Sequence, residues 1–263
     1  MRNFSNKRIL LTGASSGIGK ELAQALALRG ANLILVARST NKLLELKQTL
    51  EEAYAIDCAI YTVDLSKNED WVKVLEEIKS KYPKIDALIN NAGYGLFDQV
   101  EDVKTSDVER MFQVNVFSLI ESVKQLLPSF LNARRGHIIN VASFAGKIAT
   151  PKSSVYGATK HAVVGFSNAL RLEVEQHGVY VTTVNLGPVR TNFFHIADPS
   201  GGYQQNVDRF MIEPSDVVRA IINSLFIRKR EINLPRWMEL GNRLYHLFPT
   251  LSERLLASQF NQK

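Results

Sequence analysis

Tyr156 and Lys160 stand four residues apart in Tyr156-Gly157-Ala158-Thr159-Lys160, a spacing that puts a phenol and an ammonium on one face of a helix. A phenol with a pKa of about 10 exchanges protons poorly near neutrality, and a fixed positive charge beside it favours the phenolate. Such a pair suits proton transfer to or from a substrate oxygen. Surface pairs produce the same spacing often, so its weight comes from its companions. Ser143 closes the apolar run Asn140-Val141-Ala142, and Asn115 interrupts the apolar helical segment Gln113-Val114-Asn115-Val116. Asn90-Asn91-Ala92-Gly93 and Asn185-Leu186-Gly187-Pro188 end two further apolar runs.

A second cluster suits phosphate. Thr12 to Gly19 reads Thr-Gly-Ala-Ser-Ser-Gly-Ile-Gly, between an apolar run and a helical one. Gly13 permits a tight turn, Gly17 lets backbone approach a diphosphate, and Gly19 lets the helix sit close to the sheet. With Ser15, Ser16 and Ile18 they form the mouth of a helix whose free N–H groups and positive end attract phosphate. The spacing is G-x-x-x-G-x-G, not the broader G-x-G-x-x-G. An NAD site usually has an acid after the second strand to accept the ribose hydroxyls. Val36-Ala37-Arg38-Ser39-Thr40-Asn41 has none, and Arg38 suits a 2′-phosphate instead. A solvated loop charge is the plainer reading of Arg38, but the missing acid points the same way. NADP(H) is therefore favoured over NAD(H).

The elements that must position these residues alternate along the chain. Strands are expected at Arg8–Leu11, Asn32–Ala37, Cys58–Val63, Ala87–Asn90, Gly136–Ala142, Tyr180–Asn185 and Glu231–Leu234, each a buried apolar run. Helices are expected at Gly17–Arg29, at Ser39–Ala53 with Ser39 and Thr40 as capping residues, and at Asn68–Lys81. Others are expected at Ser106–Leu131, Val155–His177 and Pro214–Ile227. The pattern predicts an α/β fold: a doubly wound parallel sheet of about seven strands flanked by helices. Residues 1–235 read as one domain. Residues 236–263 read as a helical extension on that domain or on a partner subunit.

In order and in context, these motifs resemble the short-chain dehydrogenase/reductase family, over about residues 7 to 235. The resemblance implies a Rossmann fold and hydride transfer between a nicotinamide and a carbonyl or alcohol. It implies that Tyr156 exchanges the substrate proton, that Lys160 lowers the tyrosine pKa and holds the nicotinamide ribose, and that Ser143 hydrogen-bonds the substrate oxygen. Asn115 would order a water behind Lys160. Asn91, Ala92 and Gly93 would line the adenosine side, Asp64 would meet the adenine amino group, and Pro188, Val189 and Thr191 would hold the carboxamide. The family also implies a homodimer or homotetramer, and a mobile lid between Thr191 and Glu213, where periodicity fades around Phe193, Phe194 and Tyr203. Phe144, Val189, Phe193 and Phe194 either make an apolar substrate pocket or fill core.

Composition bounds the rest. An apolar content of 45% and a charged content of 22% exclude a disordered chain. The net charge of +6 is scattered, without the basic stripe that nucleic-acid binding needs. The five histidines have no ligand-like spacing, so no metal is expected. Cys58 is alone, and neither a membrane span nor a signal core is visible, so a cytoplasmic protein is expected. In the tail, Trp237, Met238, Leu240, Leu244, Tyr245, Leu247 and Phe248 suggest a helix up to Pro249, and a second follows from Ser252 to Phe260. Three uses compete: packing on the body or a sister subunit, closing the substrate pocket, or lying on an anionic membrane, with packing the plainest. The leading function is an NADPH-linked carbonyl reductase. The rivals are an NAD-linked alcohol dehydrogenase and a dinucleotide sensor without turnover.

Overall fold

The computed structural model describes residues 2–198 and 201–260, and the side chains of all of these except 203, 204 and 255–260. The side chain of Tyr203 and the last three residues of the tail lie outside that description. Seven strands form one sheet: β1 (Arg8–Thr12), β2 (Asn32–Ala37), β3 (Cys58–Thr62), β4 (Ala87–Asn90), β5 (Gly136–Val141), β6 (Val179–Leu186) and β7 (Glu231–Leu234). All pairings are parallel and the order is β3-β2-β1-β4-β5-β6-β7. The order reverses between β1 and β4, and a crevice opens there at the carboxyl ends of the strands.

Successive strand residues feed opposite layers, which is why the strands are apolar throughout. Ile9 and Leu11 of β1 pack on one side with α1 (Gly17–Ala27), α2 (Thr40–Ala53) and α9 (Pro214–Ser224). Leu10 packs on the other side with α3 (Asn68–Lys81), α5 (Ser118–Asn132) and α6 (Ser154–Val174). Trp71 of α3 is fully buried, and its indole N–H donates to Ser118 O (3.1 Å) and Ser122 Oγ (3.2 Å) of α5. Cys58 is buried, and burial, then the nearby Glu51 charge, push its thiol up to about 12, so it stays protonated.

Four expectations are corrected. The helix expected from Ser106 to Leu131 is divided: α4 (Thr105–Phe112) passes through a π-helical turn, Gln113–Phe117, into α5. Ser39 is the N-cap residue of α2, but its hydroxyl makes no capping bond. The segment from Thr191 to Glu213 holds two short helices, α7 (Phe193–Ala197) and α8 (Gly202–Val207). In the tail, α10 covers Arg236–Leu247, and Pro249 opens α11 (Pro249–Phe260), because a proline suits a first helical turn.

Candidate active site

The loop between β1 and α1 turns on Gly13 (φ 69°) and Gly17 (φ 49°), both left-handed. A methyl group on Gly19 would fall on the Gly13 carbonyl oxygen, so Gly19 lets the turn fold against the helix start. Its nearest neighbours are this carbonyl, one residue past β1, and the Asn91 amide, one residue past β4. Asn91 brackets the same turn, its Nδ2 donating to Thr12 O (3.1 Å) and Gly13 O (3.2 Å). Thr12 Oγ1 accepts from the N–H groups of Asn91 and Ala92, at 3.1 Å each. Ser16 is the N-cap of α1 without a side-chain cap, and the first turn has no acid, so its positive end is uncompensated. Ser15, Ser16, Gly17 and Ile18 keep solvent access. Arg38 follows β2 and is exposed. Asp64 lies within its field. Burial raises the Asp64 carboxyl, but hydrogen bonds from Ser66 and the charges of Arg38 and Arg110 outweigh this and lower it.

A cavity of about 600 Å³ lies beyond this turn, at the ends of β4, β5 and β6. Ser143, Tyr156 and Lys160 all line its floor, with Gly93, Ala142 and Leu186 beside them. Ser143 starts a 3₁₀ turn, Phe144–Gly146, after β5; its Oγ donates to Leu186 O (3.2 Å) and accepts from Ala145 N (3.1 Å). Tyr156 and Lys160 sit one turn apart on α6, with Lys160 Nζ 5.8 Å from the phenol ring centroid. Lys160 is 4% exposed, and its Nζ donates to Val141 O at 3.1 Å. Burial brings its pKa down to about 8, because a desolvated ammonium is costly.

Asn115 stands in the π-helical turn and is buried. Its Nδ2 donates to Tyr94 O (2.7 Å) and Thr159 Oγ1 (3.0 Å), and its Oδ1 accepts from Tyr94 N (2.8 Å). Thr159 Oγ1 in turn donates to Tyr156 O (2.7 Å). Both amide hydrogens are taken by protein oxygens, and the side chain clamps the loop after β4 to α6. A methyl on Gly146 would lie 2.5 Å from Lys160 O, so that glycine sets the seat of α6.

The roof of the cavity is apolar. Phe97 packs edge-on against Tyr156 at 5.5 Å, and Phe193 lies 5.8 Å from Tyr156 and 5.6 Å from Phe194. Phe144, Phe193 and Phe194 all line the cavity while packing on neighbours, so the two uses weighed for them coincide. Pro188, Val189 and Thr191 line it too, and the loop is pinned where Ile212 N donates to Pro188 O (2.9 Å). Phe97 was not foreseen; its only signal is its place in the glycine-containing loop after β4. The wall from α10, including Trp237, Met238 and Tyr245, is the pocket-closing use that ranked behind plain packing. Lys147 ties α10 to β7, pairing with Glu239 of α10 (3.3 Å) and Glu231 of β7 (2.5 Å). Among the described residues no cluster could hold a metal ion, and no helix is long and apolar enough to cross a membrane.

Residues 7–199 match the family model for short chain dehydrogenase. An uncharacterized oxidoreductase of Listeria monocytogenes is 39% identical over 72% of this chain and 76% of its own length. Dehydrogenase/reductase SDR family member 7B of Bos taurus is 33% identical over 97% of this chain and 81% of its own. Among solved structures, a short-chain dehydrogenase from Sphingobium yanoikuyae in complex with NADPH superposes with a TM-score of 0.81 at 28% identity, over 93% of this chain and 95% of that one. An SDR from Burkholderia phymatum in complex with NAD shares the fold, with a TM-score of 0.83 at 23% identity over 95% and 96% of the two chains. The chain belongs to the short-chain dehydrogenase/reductase family, Rossmann-fold oxidoreductases that bind a nicotinamide dinucleotide.

Proposed function

We propose that this chain is an NADP(H)-dependent carbonyl reductase or alcohol dehydrogenase for an apolar substrate. The observation that carries the reading is one cavity whose polar floor holds Ser143, Tyr156 and Lys160 under an apolar roof. The glycine turn and the uncapped start of α1 fit a diphosphate, and exposed Arg38, in a segment after β2 that carries no acid, fits a 2′-phosphate. Ser15, Ser16, Gly17 and Ile18 would hold the phosphates, and Asp64 would face the adenine. Asn91, Ala92 and Gly93 would line the adenosine side, Lys160 would meet the inner ribose, and Pro188, Val189 and Thr191 the carboxamide. The bound nicotinamide supplies or takes up the hydride.

In reduction, the Tyr156 hydroxyl gives its proton to the substrate oxygen. The Ser143 hydroxyl turns from Leu186 O and donates to the same oxygen, stabilising the negative charge that grows there. The Lys160 ammonium, held by Val141 O, favours the phenolate that Tyr156 becomes. Asn115 and Thr159 fix the turn of α6 that carries the phenol, and are positioning residues. Cytoplasmic residence, a homodimer or homotetramer, and a body at residues 1–235 with an extension at 236–263 belong to the same proposal.

Titration with NADPH and NADH, followed by oxidation of NADPH against ketones, aldehydes and quinones, tests it. NADPH binds more tightly, and Arg38→Asp weakens it roughly a hundredfold while changing NADH little. A preference of the native chain for NADH would overturn the use of Arg38 and leave the NAD-linked dehydrogenase. Tight dinucleotide binding without turnover of any carbonyl or alcohol would leave the sensor.

A further inference from the structure

The helix α10 is apolar on both sides. Toward the body it turns Met238 and Tyr245 into the cavity wall, with Asn242 buried between them. Toward solvent it presents Trp237, Leu240, Leu244 and Leu247, which are 58%, 64%, 51% and 70% exposed. Phe248 and Leu251 carry this stripe onto α11. A surface helix normally turns polar residues outward, and a contiguous apolar patch marks a contact.

Charge and position say which contact. Arg236 and Arg243 flank the stripe along α10, and Arg209 lies beside Phe210, whose ring meets Trp237 at 5.8 Å. Among the described residues Arg209, Arg236 and Arg254 have no carboxylate partner; against them stands Glu253, which accepts from the Tyr245 hydroxyl, so the rim is positive on balance. An amphipathic helix with an aromatic in its apolar face and arginines at its border suits an anionic lipid surface. Trp237 and Leu244 are both exposed and lining, so the cavity opens through this stripe. A protein seated there would shut the entrance. A lipid surface would leave it open to apolar molecules dissolved in the membrane.

We propose that the α10–α11 face docks on an anionic lipid surface, and that the cavity draws an apolar carbonyl substrate from it. The second clause rests on the function proposed above; the first does not. The full chain is sedimented with vesicles of phosphatidylcholine alone, or with added phosphatidylserine, at low and high salt. The chain pellets with the serine-containing vesicles and is released by salt. Leu240→Glu with Leu247→Glu, neither of which lines the cavity, weakens this partition roughly a hundredfold while turnover of a water-soluble carbonyl is kept. Arg236→Glu with Arg254→Glu removes the preference for serine lipid and guards against a folding defect in the first variant. Tyr156→Phe, which lacks turnover, pellets like the native chain, so failure of docking and failure of the chemistry are read separately. Absence of pelleting by the native chain, or pelleting of both double variants as complete as that of the native chain, overturns the proposal. So does a native dimer that the leucine variant converts to monomer, which gives the face to a second copy.

Discussion

On the floor of the cavity Ser143 and Lys160, and behind it Asn115 and Thr159, have their polar atoms tied to backbone or to one another. On the roof, Phe97, Phe193 and Phe194 meet Tyr156 and each other by ring edges and tilts, and Trp237 and Leu244 open onto solvent. Hydrogen bonds are directional, so the floor has one arrangement and can aim a proton. Dispersion contacts are not, so the roof accepts many shapes and selects by polarity and size. Changes to the floor should therefore cost rate, and changes to the roof should cost affinity.

Tyr156→Phe is the sharpest cut. It keeps the ring packed on Phe97 and Phe193 and removes only the hydroxyl. Turnover should fall about 10⁴-fold, with dinucleotide affinity unchanged in a fluorescence titration. Lost affinity of the same size would show that the phenol serves binding and not chemistry.

Lys160→Met comes next, with turnover reduced roughly 10³-fold. It should also raise stability at pH 7. Lys160 has a pKa of about 8 in the folded chain, against 10.5 for an ordinary lysine, so folding holds a charge it would otherwise shed. Relief of that cost, less the lost bond to Val141 O, is on the order of 2 kcal/mol. Below about pH 8 both states carry the proton and the cost is fully present. As pH rises from 8 to 10.5 the folded state loses it first, native stability climbs, and the advantage of methionine fades. Denaturant unfolding of both proteins at pH 7 and pH 10 checks the sign. A methionine variant less stable at pH 7 would show that the hydrogen bond outweighs desolvation.

Gly146→Ala leaves every reacting group in place and moves their seat. The new methyl would press on the Lys160 carbonyl, 2.5 Å away, and backbone cannot yield there as a side-chain tip can. A shift of α6 by about 1 Å should cost roughly 10²-fold in turnover and about 1–3 kcal/mol of stability. Rate loss without loss of melting temperature would mean that α6 tilts freely, and the floor would be less rigid than its bonds suggest.

Local pattern made some of this visible in the sequence and hid the rest. Tyr156 and Lys160 share a face because helical spacing is local, and Ser143 was marked by the end of its apolar strand. The roles of Gly146, Gly95 and Phe97 depend on what faces them from distant parts of the chain, and periodicity does not report that. Gly95 is a case in point, since its missing side chain leaves room for the Tyr156 and Phe193 rings. Asn115 stood out as a polar residue in an apolar helical segment, but the π-helical turn that aims it has no local signature. The tail showed its apolar residues but not their division between the cavity wall and the outer stripe. That division depends on where α10 meets β7 and Lys147.

The smallest expected effect falls on the roof. Phe193→Ala removes a ring that touches Tyr156 and Phe194 and lines the cavity, without removing a polar group. The apolar area it gives a substrate is worth a little over 1 kcal/mol, so KM for an apolar carbonyl should rise about tenfold. A small polar carbonyl, which gains little from that ring, should keep its KM, and kcat for both should stay within about threefold. If kcat falls instead, the ring edges hold the phenol in its reactive pose, and roof and floor are one device.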